Sequence, residues 1–144
     1  MERRGRSGRS PVLTPDTYRR LMRAREFIDS SYQSSLDLGQ ISKVACLSRF
    51  HFLRLFRTAF NKTPHQYLTH RRIEKAKELL SSSRLTVTDV CFEVGFESLG
   101  SFSSLFHKHV GYAPVSYRAI ACERQREPRR RIPPCHLMLF GLQD

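Results

Sequence analysis

Residues 48–64 read SRFHFLRLFRTAFNKTP, with four Phe and two Leu set among three Arg and one His and no acidic residue. Phe52, Leu55, Phe56 and Ala59 fall at i, i+3, i+4 and i+7, which is one face of an α-helix. Arg49, Phe50, Leu53, Arg54 and Arg57 form the opposite stripe. Ser48 is a natural N-cap, because its side-chain oxygen can accept from the unpaired amides of the first turn. Asn61 suits a left-handed C-cap. Thr63 and Pro64 then restart the chain, as a second cap with proline at the first helical position. The run predicts a helix over about 48–60 with one face for a core. Its other face sets cations beside exposed apolar side chains.

The run has an echo in SLGSFSSLFHKHVGYAP, residues 98–114. At an offset of 50, Phe52 pairs with Phe102, Leu55 with Leu105, Phe56 with Phe106, Pro64 with Pro114 and Tyr67 with Tyr117. Before the turn the offset is 49, as in Leu36/Leu85, Ile41/Val90 and Leu47/Phe96, so the second copy carries one extra turn residue. Helical periodicity and caps then organise the rest. Helices are expected over about 14–31, 37–45, 48–60, 64–80, 86–94, 99–109 and 114–121. Two copies are too few for a solenoid, which needs three or more repeats. The expected fold is all-α: two helix-turn-helix subdomains joined by a long linker helix, about seven helices in all. The first unit takes about 14–62, the linker helix 64–80 and the second unit 85–121. Residues 1–13 are expected to be a disordered basic N-terminus, and 122–144 a basic linker with a short apolar tail.

The chain has 144 residues, a net charge of +12 and a pI near 10.3, a balance that points to a polyanionic partner. No apolar run approaches the roughly 18 residues of a membrane span, and the charged N-terminus has no apolar signal region, so a cytoplasmic location without membrane contact is expected. Cys46, Cys91, Cys122 and Cys135 form no CxxC unit, and the six His add no pair at metal spacing. No metal and no cofactor are therefore expected. No carboxylate pair, phosphate-binding Gly loop or nucleophile–base set argues for an enzyme.

A short helix, a tight turn and a second amphipathic helix, twice in one basic chain, is the helix-turn-helix layout. Residues 36–68, LDLGQISKVACLSRFHFLRLFRTAFNKTPHQYL, and 86–118, TVTDVCFEVGFESLGSFSSLFHKHVGYAPVSYR, carry a more specific likeness. The second contains GF-x-S-x-x-x-F-x-x-x-F followed by G-x-x-P-x-x-Y-R. The sequence resembles the DNA-binding domain of the AraC/XylS family of bacterial transcription regulators over about residues 17–120. The resemblance implies seven helices, with two recognition helices in successive major-groove segments of double-stranded DNA. It also implies that the positions of Phe50, Leu53 and Arg54 read bases.

The residues support that expectation independently. A helix over 64–80 is about 25 Å long at ~1.5 Å per residue, which sets two reading helices near the ~34 Å of one DNA turn. Arg54 suits guanine O6/N7, and Phe50 or Leu53 suits a thymine methyl, with Arg49 on the same stripe. From Leu38 to Ile73 there is no Asp or Glu but there are seven cations: Lys43, Arg49, Arg54, Arg57, Lys62, Arg71 and Arg72. That run reads as a phosphate footprint.

The second reading face, Leu99, Gly100, Ser103 and Ser104, holds no Arg, and residues 86–118 carry a net charge of −1. Ser discriminates poorly between bases, so the first unit is expected to supply most base readout. Backbone contacts are expected from Ser48, His51, Arg57 and Lys62, and from Ser98, Ser101, His107 and Lys108. His109 also lies near this side, while His65 and His70, on the linker helix, carry no signal.

With both reading helices in one chain, monomeric DNA binding is expected. No small-molecule effector is evident, and only about a dozen residues precede the first helix. The expectation is a short stand-alone regulator or one whose sensing domain is absent. The alternative is a protein-interaction module, in which the second unit and the CHLMLFG tail dock RNA polymerase or another regulator and nucleic-acid binding is mainly nonspecific. Duplex DNA is favoured over RNA, whose deep, narrow groove does not admit a helix.

Overall fold

The computed structural model describes residues 12–126. Among them every regular element is an α-helix: α1 (Pro15–Ser31), α2 (Leu38–Val44), α3 (Arg49–Phe60), α4 (Pro64–Ser82), α5 (Val87–Glu93), α6 (Leu99–Val110) and α7 (Pro114–Arg126). Six starts are capped by side chains the sequence marks. Thr14, Ser48 and Ser98 accept from the amides of Thr17, His51 and Ser101. Asp37/Gln40, Thr63/Gln66 and Thr86/Asp89 close reciprocal capping boxes.

Two separate cores follow. The first joins Leu21, Ala24 and Ile28 of α1, Ile41 of α2, Phe52, Leu55 and Phe56 of α3 and Leu68 of α4. The second joins Ile73, Ala76 and Leu80 of α4, Val90 and Cys91 of α5, Phe96 of the turn, and Phe102 and Phe106 of α6. The sequence repeat is a repeat of packing. Phe52–Phe56 and Phe56–Tyr67 ring centroids lie 5.4 and 5.9 Å apart, and Phe102–Phe106 and Phe106–Tyr117 lie 5.7 and 5.4 Å apart. Because α4 gives one half to each core, it is a structural member of both units as well as a spacer. Its 19 residues are about 28 Å long at ~1.5 Å per residue.

Four residues, 45–48, separate α2 from α3, and five, 94–98, separate α5 from α6, so the expected extra residue is in the second turn. Both turns need one left-handed residue, Cys46 (φ 55°) in the first and Gly95 (φ 100°) in the second. The C-caps of α3 and α6 repeat the contrast, with Asn61 (φ 62°) and Gly111 (φ 90°).

Some boundaries and stripes differ from the sequence reading. Leu13, placed in the disordered N-terminal stretch, packs against the first core. It immediately precedes the cap of α1, where an apolar side chain can fold back onto the helix it introduces. On α1, Ala24 lies in the core while Tyr18 stays 43% exposed beside Phe60. Helix α7 runs past Ala121 to Arg126, into the stretch read as linker. Residues 122–126 contain no helix breaker before Pro128, and Gln125 donates to the Ser81 carbonyl at 2.9 Å. The readings of residues 1–11, of the tail from 127 and of Cys135 lie outside the described residues.

Candidate nucleic-acid interface

Helix α3 is clamped to the first core from one side only. Phe52 and Phe56 are fully buried, whereas Phe50, two residues from Phe52, is 84% exposed. The apolar ring of Phe50 is therefore open to solvent on the face opposite the core. Arg54 and Arg57 are exposed on the same side, as are Ser48 and His51 in the first turn. Leu53 is half-buried and lines a groove of about 420 Å³ with Leu38, Ile41 and His65. The guanidinium of Arg49 lies over Gly39 of α2: a Cβ there would sit 2.8 Å from its Nη2. Arg49 is thus drawn toward α2, although its side chain remains exposed.

Helix α6 repeats the geometry without the charge. Leu99, Gly100, Ser101, Ser104, His107 and Lys108 are exposed, and Ser103 is half-buried. Nothing lies within 4 Å of the position a Gly100 Cβ would take, so that backbone is open to close approach. Ser48 and Ser98 are both engaged as caps. Each keeps free hydroxyl capacity, because capping uses only its acceptor role.

Between α3 and α6 runs the N-terminal half of α4. A groove of about 500 Å³ is lined by Lys62, His65, Gln66, Thr69 and His70 from the first unit's side, and by Leu105, Lys108 and His109 of α6. Burial first, and then the charges of Lys62 and His109, hold His70 below the ordinary histidine range, partly opposed by Glu74. His65 and His70, which carry no signal in the sequence, line this groove. Both lie in a cationic groove assembled from three elements. Their sequence neighbours on α4 say nothing of it, because the cations opposite come from α6, about forty residues later.

The acid-free run also needs correction. Arg71 pairs with Asp29 at 3.6 Å and lies over the Tyr32 ring at 5.4 Å. Arg72 donates to the Tyr32 and Ser34 carbonyls at 2.7 and 2.9 Å. Partners distant in sequence thus fold back onto α4 and engage both cations, although the Arg71 side chain stays 43% exposed. Five of the seven remain for an external anion: Lys43, Arg49, Arg54, Arg57 and Lys62. In the second unit Arg118 is likewise internal, donating to the carbonyls of Leu80 and Leu85. No cluster of metal-ligating side chains occurs among the described residues, and no helix there is long and apolar enough to cross a membrane.

The architecture defines a duplicated helix-turn-helix domain, and comparisons with known proteins agree. A family model described as a helix-turn-helix domain matches residues 41–120. The chain is similar to the probable transcriptional regulator LumQ of Photobacterium leiognathi, 32% identical over 92 residues, or 64% of this chain and 37% of that one. It is similar to the MmsAB operon regulatory protein of Pseudomonas aeruginosa, 37% identical over 83 residues, or 58% and 27%. Among solved structures it resembles the DNA-binding domain of the global transcriptional factor AdpA in complex with a target DNA. The TM-score is 0.71 at 27% identity, covering 75% of this chain and 97% of that one. The chain belongs to the AraC/XylS-type helix-turn-helix family, whose members are transcription regulators and not enzymes. It spans about a third of the length of the curated relatives it matches.

Proposed function

We propose that this chain is a sequence-specific, double-stranded DNA-binding transcription regulator that inserts α3 and α6 into successive major-groove segments as a monomer. The observation that carries this reading is the division of α3. An inner stripe with Phe52 and Phe56 at 0% exposure backs an outer stripe in which Phe50 stands 84% exposed beside Arg54. An apolar side chain and a bidentate donor on one open helix face match the edge of a T next to a G. The similarity to a DNA-binding domain solved in complex with a target DNA supports DNA as the partner.

In this reading Arg54 takes guanine and Phe50 and Leu53 take thymine methyls, with Arg49 reaching bases once it leaves Gly39. Leu99, Gly100, Ser103 and Ser104 face the second groove segment and add little discrimination. Ser48, His51, Arg57, Ser98, Ser101 and His107 hold phosphates, joined by the groove of Lys62, His65, His70 and Lys108 where the intervening strand passes.

Selection of bound sites from a random duplex pool tests this, with structured RNA and unrelated duplex as competitors. A recovered motif with one information-rich half and one weak half is expected. Arg54→Ala should then weaken the selected site about 5–150-fold, the range of one bidentate base contact. Ser104→Ala should cost less than threefold, and equal losses would sink the asymmetry.

A second reading adds a docking role. Phe92 on α5 and Val115 on α7 are 55% and 68% exposed on the weakly charged second unit, and a polymerase or regulator surface would cover them. Phe92→Ser with Val115→Ser should then lower transcriptional output while leaving DNA affinity intact.

A further inference from the structure

The two cores share no residue, and α4 is the continuous element that enters both. A single shared helix fixes a length but not an angle, because helices bend at low cost over several turns. A second joint off the α4 axis is needed to hold the reading helices at one mutual orientation. That joint lies where the first unit's α1–α2 loop meets the second unit's turn.

Four contacts make it. Arg72 of α4 donates from Nε to the Tyr32 carbonyl at 2.7 Å and from Nη2 to the Ser34 carbonyl at 2.9 Å. The same guanidinium lies over the Phe96 ring, 5.7 Å from its centroid. At Gly95, a Cβ would come within 2.7 Å of the Tyr32 carbonyl oxygen and 2.9 Å of that of Gln33. A planar, five-donor head can bond two carbonyls and stack on a ring at once, which a lysine ammonium cannot. The joint reaches the reading surface directly, since only Glu97 separates Phe96 from Ser98, the cap of α6.

Backbone and surroundings together explain why Gly95 is glycine. Its counterpart, Cys46, holds a left-handed conformation at φ 55° with a side chain in place. At φ 100° the Gly95 backbone by itself disfavours a Cβ, whatever the space around it. In addition, a Cβ there would meet the loop of the other unit. Gly111 provides the matching control in the second unit, with φ 90° and nothing within 4 Å of a built Cβ.

We propose that Arg72, Gly95 and Phe96 form an inter-unit clamp that sets the spacing and angle between α3 and α6, and so selects the separation of the two half-sites in DNA. Arg72 and Gly95 act as positioning residues; the DNA part of the inference rests on the proposed function. One added base pair moves the second half-site by about 3.4 Å and turns it by roughly 35°, so a rigid pair of helices rejects it and a loose pair follows.

Two measurements on the full chain test the clamp. The first needs no DNA: amide residual dipolar couplings from the two units are fitted to alignment tensors. Wild type and Gly111→Ala should fit one tensor for both units, while Gly95→Ala and Arg72→Met should require two. The second measures binding to the selected duplex with one or two base pairs inserted or removed between half-sites. Wild type and Gly111→Ala should lose at least tenfold, the discrimination of Gly95→Ala and Arg72→Met falling to about threefold or less as the linkage loosens. Arg72→Met serves if Gly95→Ala fails to fold, as judged by helical circular dichroism.

Folded variants that keep one tensor, or keep the wild-type spacing preference, overturn the proposal, as does a wild type that already needs two tensors. If the tensors behave as expected but wild type selects no duplex, the clamp stands and the DNA reading falls.

Discussion

Phe50 and Phe52 are separated by one residue and should fail in opposite ways. Phe52 is fully enclosed, with the Phe56 ring at 5.4 Å. Phe52→Ala removes that side chain and leaves a cavity on a rigid helix, a loss of about 3–5 kcal/mol. This domain lies between the ~4–8 °C per kcal/mol of 60–100 residues and the ~2–4 °C of 150–250, so melting should fall by about 10 °C or more. Phe50 is 84% exposed, and truncating it removes almost no packing. Its stability change should stay within about 0.5 kcal/mol.

Binding should reverse the order of interest. A Phe side chain presents about 150–250 Å². If a groove contact covers roughly 60 Å² of it at ~25 cal/mol/Å², the contact is worth about 1.5 kcal/mol, close to tenfold in Kd. Nonspecific affinity comes from phosphate charge and should not move. Thermal melts by circular dichroism and anisotropy titrations with the selected and an unrelated duplex measure both quantities. Phe50→Ala should keep its melting point and lose about tenfold on the selected duplex alone. A melting loss comparable to that of Phe52→Ala, or unchanged specific binding, would refute the assignment of the two faces.

Other consequences are as direct. The Tyr67 hydroxyl donates to Asp29 at 2.8 Å, and burial first, then that carboxylate, push its pKa up to about 12. Its folded pKa lies above the unfolded one, so its contribution is present below pH ~10 and lost as pH rises toward 12. Tyr67→Phe should cost about 1 kcal/mol at neutral pH, a deficit that closes in alkaline denaturation curves. Cys46→Gly should stabilise the first unit by about 1 kcal/mol, since it relieves a left-handed non-Gly residue whose side chain is exposed. Urea unfolding checks this, and no gain would show that the Cys46 side chain has a role. His70 is held below its ordinary range, so in the free protein the unfolded chain binds its proton more readily. Stability should then fall as pH drops through the ordinary histidine range. A phosphate in the groove reverses the sign: DNA affinity should rise as pH falls from 8 to 6, and His70→Gln should flatten that dependence.

Much of the fold was legible because it is written in short-range terms. Ser48, Thr63 and Ser98 mark helix starts through side chains that reach amides three residues away, and the stripe Phe52–Leu55–Phe56 needs only the 3.6-residue period. The same logic exposed the outer face of α3, since whatever lies opposite a core stripe faces away from the core. Cations were harder to read. Arg54, Arg71 and Arg72 look alike in an acid-free run, yet Asp29 and two loop carbonyls claim the last two from about forty residues upstream.

Helix positions, caps, the duplication and the two-faced character of α3 follow from the sequence by itself, because each depends on neighbours within a turn or two. The destinations of Arg71 and Arg72, the cationic groove around His70 and the close approach at Gly95 were decided only by the tertiary structure. Each joins groups from separate helices, and no local pattern carries the angle at which two separate cores meet.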